Sequence, residues 1–373
     1  MDDVARLVSQ FEKAEDFDWA SRSRFWLEQS SLKVPRRRRE RESNPLILNG
    51  HGLSIRVHRG TLVIRDGNTH YPAEQREWRF FNGSLDIPPV IVVIDGSGEI
   101  TLDAIDWLAA QDVSLIRLRW NGQFMSLVTA GGQAATAENI RWQDETRQNP
   151  EKRWRFGHDL ILRKVRSTLQ SMEDYVPQSK VWETGLESVR AMLKQIEDDP
   201  PKDLTALLGL EGAAAKSYFR AWSGIDLRWS KNKKYPIPQQ WQRFRTRSAL
   251  RVGKIKNLHA THPINAMLNY AYGVAVAREH IKVISEGYDP TIGIMHDLQD
   301  KRGYYPAFVL DRIEPLRPLV DRAVLRIITS EMLTSADFAL QDDGTCRLNP
   351  ELARRVAQGA LEHFAVASDS SWL

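Results

Sequence analysis

Apolar and polar residues follow three different patterns along this chain of 373 residues. Residues 1–34 carry apolar side chains at helical spacing, which predicts one or two amphipathic helices. Over residues 46–132, short runs of alternating apolar and polar residues are separated by turns that contain glycine, a pattern typical of strands. Beyond Gln133 the apolar residues return to helical spacing. The patterns predict an α+β fold with two domains, a small N-terminal β-rich domain followed by a larger all-α C-terminal domain.

The individual elements follow from the same spacing and from the turn and breaker residues between them. Strands are predicted at residues 53–57, 62–65, 88–95, 113–118 and 123–128, with a helix at 100–111. Helices are predicted at residues 150–170, 182–198, 203–224, 239–250, 261–286, 308–330 and 349–365. The predicted units are a helical extension with a basic linker at 1–45, a β-domain at 46–132, a helical domain at 133–330 and a helical C-terminal tail at 331–373.

Composition excludes several classes of protein. Cys346 is the single cysteine, which excludes an internal disulfide framework and a cysteine-rich zinc site, and we interpret it as a filler thiol. No apolar run approaches the roughly 20 residues needed to span a membrane. The acidic, amphipathic start differs from a signal peptide, so we expect a cytoplasmic protein without a membrane partner. The net charge of +4 does not by itself indicate nucleic acid, so the distribution of charge is more informative.

One stretch of the chain, residues 228–256, is basic and contains neither Asp nor Glu. Its cations are Arg228, Lys231, Lys233, Lys234, Arg243, Arg245, Arg247, Arg251, Lys254 and Lys256. Its interleaved aromatic residues are Trp229, Tyr235, Trp241 and Phe244, which could pack or stack on bases. A solvated helix face would normally carry acids too, so the pattern favours binding to nucleic-acid phosphates.

A single carboxylate, Glu211, lies among small and apolar residues on the helix predicted at 203–224. Gly209 and Gly212 flank it and would let a backbone or a ligand approach closely. If Glu211 is buried, it needs a cation or a metal ion as partner. If the helix turns it outward, it is an ordinary surface residue, and spacing alone leaves both interpretations open.

Two later segments supply an imidazole and a pair of carboxylates. His296 ends a short apolar run and is either structural or a ligand. Asp311 and Glu314 are three residues apart, so on a helix they share one face. Two carboxylates on one face repel each other unless a cation lies between them, which is how divalent-metal sites are often built. Paired surface acids are common as well, so this pattern is weak when taken alone.

Taken together, these segments resemble the CRISPR-associated spacer-acquisition integrase family. LLGLEGAAAKSYF at 207–219 is similar to that family's helix with the first metal ligand, and HPINAMLNYAYG at 262–273 is similar to its most recognisable helix. GYDPTIGIMH at 287–296 matches the family segment that ends in a functional histidine. LDRIEPLRPLVDR at 310–322 matches the segment that bears an aspartate and a second acid. The resemblance covers about residues 46–330, with the motifs in the family's order.

The resemblance implies an activity and a set of site residues. The activity is that of a metal-dependent DNA integrase and endonuclease, which joins 3′-hydroxyl ends of captured DNA into a CRISPR repeat array and also cleaves branched DNA. It implies that Glu211, His296 and Asp311 are catalytic, and that these three with Glu314 bind Mg²⁺ or Mn²⁺. His296 could instead protonate the leaving oxygen, a role that sequence does not separate from metal binding. The basic stretch would bind DNA phosphates.

The resemblance also implies partners. The incoming fragment and the repeat target are both double-stranded DNA. The chain is expected to form a homodimer through its β-domain, and two dimers are expected to clamp a small ferredoxin-like adaptor dimer. No nucleotide cofactor is expected, because the sequence has neither a P-loop nor a GxGxxG motif.

Two features depart from the family pattern and keep alternatives open. The spacing between His296 and Asp311 is longer than the family's, and residues 1–45 have no counterpart there. The alternatives are a mobile-element integrase of the same fold acting without a CRISPR array, a catalytically silent DNA-binding scaffold, and a structure-selective nuclease. The presence of Glu211, His296 and Asp311 argues against a silent scaffold.

Overall fold

The computed structural model describes residues 18–30, 41–42, 45–69, 75–120, 122–129, 135–230, 236–245, 247, 260–296 and 306–367. Within these ranges the strands are concentrated in the N-terminal part and the helices in the C-terminal part, which confirms a mixed fold of this order. The N-terminal part contains helix α1 (Trp19–Ser30), strands β1 (Leu46–His58), β2 (Thr61–Arg65), β3 (Glu77–Phe80) and β4 (Val90–Ile100), helix α2 (Leu102–Ala110), and strands β5 (Ser114–Leu118) and β6 (Phe124–Val128).

The strands form one mixed sheet in the order β3-β2-β1-β4-β5-β6. Strand β4 is central and pairs in parallel with both β1 and β5, while the outer pairs are antiparallel. A parallel pair needs a crossover connection, and α2 supplies it between β4 and β5. The Thr101 side chain caps this helix by accepting a hydrogen bond from the Ala104 N–H.

The two faces of the sheet are covered differently. One face packs against α2 through buried residues such as Leu48, Ile55 and Leu108. The opposite face, with Ile47 and Val92 among its buried residues, belongs to the same hydrophobic core as the C-terminal helices. The strand and helix regions are therefore segregated along the chain but share a core, and the boundaries of separate domains stay predictions.

The C-terminal part is mainly helical. Its helices are α3 (Ala137–Gln148), α4 (Pro150–Tyr175), α5 (Lys180–Asp198), α6 (Leu204–Ala221), α7 (Pro263–Ser285), α8 (Ala307–Ile313), α9 (Arg317–Ser330) and α10 (Pro350–Ala367). Helix α7 is buried along most of its length. It passes so close to the loop before β6 that a Cβ on Gly273 would lie 1.8 Å from the carbonyl oxygen of Gly122. No helix of the described residues is long and apolar enough to cross a membrane.

Three predictions for the C-terminal part are wrong in detail. The tail also contains a hairpin of strands β7 (Phe338–Leu340) and β8 (Cys346–Leu348), whose turn includes Gly344 at φ +80°. The single helix predicted at 308–330 is interrupted by a 3₁₀ turn, because prolines lack the N–H that a continuing helix needs. Of the helix predicted at 239–250, the structure describes only a 3₁₀ turn at Gln239–Trp241 and a non-helical stretch after it.

The N-terminal helix is tied to the C-terminal tail by buried polar contacts. The Arg22 Nε donates to Asp337 Oδ1 at 2.6 Å, and the Trp26 Nε1 donates to the same oxygen at 2.7 Å. Both Trp26 and Asp337 are fully buried. Part of the extension predicted at 1–45 is thus integral to the fold, while residues 1–17 and most of the basic linker lie outside the described residues.

Candidate active site

A cavity of about 300 Å³ lies between α4, α6, α7 and the start of α9. Its lining includes seven residues with a carboxylate, imidazole, ammonium or guanidinium group: Lys164, Glu211, Arg247, His296, Glu314, Arg317 and Asp321. They come from segments far apart in sequence, so the cavity exists only because these helices pack together.

Glu211 lies on the buried face of α6. Leu207, Ala214 and Tyr218 of that helix are buried, and Glu211 shares their spacing of three and four residues. Its side chain is 16% exposed and its Oε1 lies 2.5 Å from the Lys164 Nζ. The surface interpretation of Glu211 is therefore wrong. Among the described residues no other backbone approaches its two neighbouring glycines, because a Cβ on either would meet no atom within 4 Å, so the expected backbone approach is wrong and the approach of a ligand stays a prediction.

Asp311 lies behind His296 and is fully buried. Its Oδ2 accepts hydrogen bonds from the N–H groups of Ile294, at 2.6 Å, and Met295, at 3.1 Å. Its Oδ1 accepts from the His296 N–H at 2.9 Å and lies 2.6 Å from the His296 Nδ1. Because a carboxylate oxygen accepts, Nδ1 is the donor in this contact, and in the neutral ring the lone pair of Nε2 is left for the cavity.

Glu314 faces the cavity from the 3₁₀ turn that follows α8. Its Oε2 lies 2.5 Å from the Lys164 Nζ, and its Oε1 accepts from the Arg317 Nε at 3.0 Å. The His296 Nε2 is 4.0 Å from the same Oε1. Burial opposes ionisation here, but Arg317 and Lys164 outweigh it and lower the pKa of Glu314 below its usual value.

The structure thus brings Glu211, His296 and Glu314 to one cavity and places Asp311 behind His296, outside the lining of that cavity. Both Asp311 oxygens are used by backbone N–H groups and by His296, so the expectation that Asp311 itself binds an ion does not fit this geometry. Among the residues that the structure describes, no three His, Cys, Asp or Glu side chains are already arranged to hold an ion. The Lys164 ammonium lies between the two carboxylates, in the place where a shared cation would bind.

Two guanidinium groups form the basic side of the cavity. The Arg247 Nη2 donates to the Asn269 Oδ1 at 3.0 Å, and its Cζ lies 5.2 Å from the ring centroid of Tyr272. The Arg317 Cζ lies at the same distance from that ring. The Tyr272 hydroxyl donates to Asp321 Oδ1 at 2.5 Å. Burial raises the pKa of Asp321 to about 6, against the opposing effects of the Tyr272 hydrogen bond and Arg247.

The rest of the basic stretch is placed in several ways. Arg228, Arg243 and Arg245 are exposed and do not line the cavity. Trp241 and Phe244 are almost fully buried, so these two aromatic rings pack in the core and do not stack on bases. Six of the predicted cations lie outside the described residues: Lys231, Lys233, Lys234, Arg251, Lys254 and Lys256.

Sequence reasoning missed Lys164 and Arg317. Lys164 lies in a charged part of α4 between Arg163 and Arg166, and nothing in that pattern distinguishes it. Its spacing from Ile161, Val165 and Thr168, which also line the cavity, is the signal that could have placed it on the inner face.

Known proteins resemble this chain over most of its length. A CRISPR-associated endonuclease Cas1 from Methanospirillum hungatei is 24% identical over 327 residues, which cover 85% of this chain and 87% of the relative. A casposase bound to integration product has a TM-score of 0.63 and 24% identity, covering 86% of this chain and 82% of that one. A chain of a Cas6-RT-Cas1–Cas2 complex has a TM-score of 0.62 and 20% identity, covering 89% of this chain and 33% of that longer one.

The family assignment comes from a family model that matches most of the chain. Residues 46–362 match the family model described as CRISPR associated protein Cas1. That range includes the sheet, the cavity and all four segments on which the resemblance was based. The chain therefore belongs to the CRISPR-associated Cas1 family.

Proposed function

We propose that this chain is a metal-dependent DNA integrase that joins the 3′-hydroxyl ends of captured DNA into a CRISPR repeat array. The observation that carries the proposal is the convergence of Glu211, His296 and Glu314 on one cavity that Arg247 and Arg317 also line. Carboxylates and an imidazole suit a divalent cation, and guanidinium groups suit a phosphate. Membership in the Cas1 family supports DNA as the substrate class.

A Mg²⁺ or Mn²⁺ ion fits this donor set chemically. Two carboxylates and an imidazole nitrogen are ligands that Mn²⁺ accepts, and Mg²⁺ prefers the carboxylates. Metal-binding histidines commonly donate their other ring N–H to a carboxylate, and Asp311 is such a partner for His296. We therefore assign Glu211, His296 and Glu314 as the ligands. Asp311 becomes a positioning residue, in place of the ligand expected from sequence.

A divalent ion bound here would polarise the phosphodiester and make the attacking 3′-hydroxyl more acidic. The residues of the chain orient the reactants. Arg247 and Arg317 bind the non-bridging phosphate oxygens and offset the charge that develops on them. Asp311 keeps His296 in the tautomer whose Nε2 faces the cavity. A bond forms between the incoming 3′-oxygen and phosphorus as the bond to the displaced 3′-oxygen breaks, and the proton lost by the first is gained by the second.

A strand-transfer assay tests this proposal. Purified chain, short duplexes with free 3′-hydroxyls and a plasmid with a repeat array are mixed with Mn²⁺ or with chelator. We expect joining to require Mn²⁺ and to be lost in Glu314→Gln. The matched control Glu187→Gln, at an exposed position, should join DNA like the wild type. Joining that survives chelation or the Glu314 change would overturn the assignment.

We propose the partners on the same basis. Residues 46–132 would form the homodimer contact, residues 133–330 the catalytic unit, and a small ferredoxin-like adaptor dimer would join two such dimers. The fold shared with a chain of a Cas6-RT-Cas1–Cas2 complex supports a partner of this kind. Gel filtration coupled to light scattering would report the dimer, and a monomer at micromolar concentration would contradict it.

A second candidate is a mobile-element integrase without a CRISPR array. The likeness to a casposase bound to integration product favours it, because its TM-score of 0.63 and its coverage of 86% of this chain are similar to the 0.62 and 89% for the chain of the Cas6-RT-Cas1–Cas2 complex. Target choice separates the two candidates. Insertion at repeat boundaries in a plasmid with an array indicates the first, and equal insertion in a plasmid without one indicates the second.

A further inference from the structure

We infer that Lys164 is an internal cation that holds the site together without metal, is displaced by the incoming divalent ion, and then binds the DNA phosphate. This inference rests on the proposed metal site and adds to it a cationic residue that no part of the resemblance identified. The observation behind it is the position of one ammonium group between two carboxylates of the cavity.

The placement of Lys164 is built into the fold. Ile161, Val165 and Thr168 of α4 line the cavity at the spacing of one helix face, and Lys164 lies on that face among them. The neighbouring basic residues of α4 point elsewhere; Arg166, for example, pairs with Glu197 on α5. The Lys164 side chain is 13% exposed, so its charge is largely removed from water and needs the partners it has.

The contacts of Lys164 are those of a shared cation. Its Nζ lies 2.5 Å from Glu211 Oε1 and 2.5 Å from Glu314 Oε2, and so joins an acid of α6 to an acid of the turn after α8. Two carboxylates this close repel each other unless a positive charge lies between them. A divalent ion bound by the same two oxygens would occupy the same place. Lys164 and the ion then compete, because like charges do not share one site.

The displaced ammonium remains in the cavity. Its four-carbon stem is flexible and its backbone is fixed by α4, so the group can turn only within the space that the phosphodiester must enter. Arg247 and Arg317 already line this space. Lys164 would add a third donor to the phosphate, and would provide it only after the ion has released it from Glu211 and Glu314.

This exchange predicts two effects of opposite sign for Lys164→Met. Loss of the competing cation should tighten Mn²⁺ binding by roughly tenfold, because one neighbouring charge typically changes a binding equilibrium by about that factor. Loss of the phosphate donor should slow strand transfer at saturating Mn²⁺ by about a hundredfold, as for removal of one transition-state donor. A purely structural role would weaken both metal binding and catalysis.

Calorimetric titration of the full chain with Mn²⁺ tests the exchange, with kcat then measured at saturation. Lys152→Met, on the same helix but exposed, is the matched control and should behave like the wild type. Lys164→Arg keeps the competing charge and should retain weak Mn²⁺ binding. Lys164→Gln is expected to bind Mn²⁺ as tightly as Lys164→Met, and it replaces that variant if Lys164→Met does not fold.

The outcomes separate this inference from the proposed metal site. Wild-type binding that is lost in Glu211→Gln and tightened in Lys164→Met supports both. If Glu211→Gln abolishes Mn²⁺ binding but both the Met and the Gln variants of Lys164 bind Mn²⁺ with unchanged or weaker affinity, the exchange is overturned. The proposed metal site is then still supported. No Mn²⁺ binding by the wild type, or unchanged binding by Glu211→Gln, overturns the metal site and the exchange together.

Discussion

Replacing Asp311 by asparagine should lower the free energy of unfolding more than replacing Glu314 by glutamine does, although the two acids are only three residues apart. Asp311 is fully buried and accepts from three backbone N–H groups and the ring of His296. Glu314 keeps 10% of its side chain exposed, and its partners are long cationic side chains that can turn to other groups. The substitutions are equally conservative, so the contrast tests where the two carboxylates lie.

The magnitude follows from the hydrogen bonds. Each oxygen of Asp311 serves two donors, and the amide nitrogen of asparagine costs least on the His296 side, where the ring can switch tautomer and accept from it. The His296 N–H then faces a second donor without an acceptor, which gives about 1–3 kcal/mol for Asp311→Asn. For Glu314→Gln we expect about 1 kcal/mol, because the glutamine oxygen still accepts from one of the two cations, Lys164 keeps its contact with Glu211, and Arg317, whose side chain is 30% exposed, can reach water.

Urea unfolding followed by tryptophan fluorescence measures both differences, since Trp26 and Trp222 are among the fully buried side chains. An Asp311→Asn midpoint within experimental error of the wild type would refute the assignment of Asp311 as a buried positioning residue. A larger loss of stability in Glu314→Gln than in Asp311→Asn would refute it as well. Strand transfer should be lost in both variants, so activity alone does not separate their roles.

Three further predictions concern other parts of the molecule. Burial raises the pKa of Asp321 from 3.8 to about 6 in the folded chain, so its stabilising contribution is lost as pH rises through that window. Asp321→Asn should therefore flatten the plot of unfolding free energy against pH between these values, and a plot parallel to that of the wild type would argue against this role. Arg245→Gln should weaken DNA binding and lower the salt slope by about 1 without changing the urea midpoint, and an unchanged slope would remove this exposed residue from the DNA surface. Arg22→Met leaves the buried Asp337 without its cation and should cost about 3–5 kcal/mol of unfolding free energy, whereas Arg24→Met, at an exposed position, should cost almost nothing; equal effects would contradict a stabilising role for the Arg22–Asp337 ion pair.

The order of elements could be predicted from sequence because it depends on local spacing. The alternating residues at 53–57 lie within β1, the run at 88–95 overlaps β4 from residue 90 onward, and the helical period after residue 150 predicted most helices of the C-terminal part. Short elements were missed where the signal is weak. Strand β3 has four residues and the strands of the tail hairpin three each, too few for a period of two to stand out.

The site could be predicted only in part. Helical spacing gives the face on which Glu211 lies, but whether that face is buried depends on α4, which packs against α6 through non-local contacts. Spacing also put Asp311 and Glu314 on one helix face, and this was misleading. Pro315 lacks an N–H and cannot continue the helix, so the chain tightens into a 3₁₀ turn there. As a result Asp311 points to the segment at 294–296 and Glu314 to the cavity.

Long-range partners had no signal in the sequence. Lys164 meets Glu314 across 150 positions, and Arg22 meets Asp337 across 315. Charge patterns along one helix describe only neighbours three or four residues apart. The ion pairs that assemble this cavity and fix the N-terminal helix therefore became visible only when the elements were packed together.

We propose that Glu211, His296 and Glu314 together bind one divalent ion where the Lys164 ammonium now lies. Anomalous diffraction from crystals of the chain soaked in Mn²⁺ would locate that ion. We predict a Mn²⁺ peak in contact with those three side chains, with Lys164 moved away and Asp311 still bound to the backbone at 294–296. A peak on Asp311, or Mn²⁺ bound only outside this cavity, would contradict this metal site.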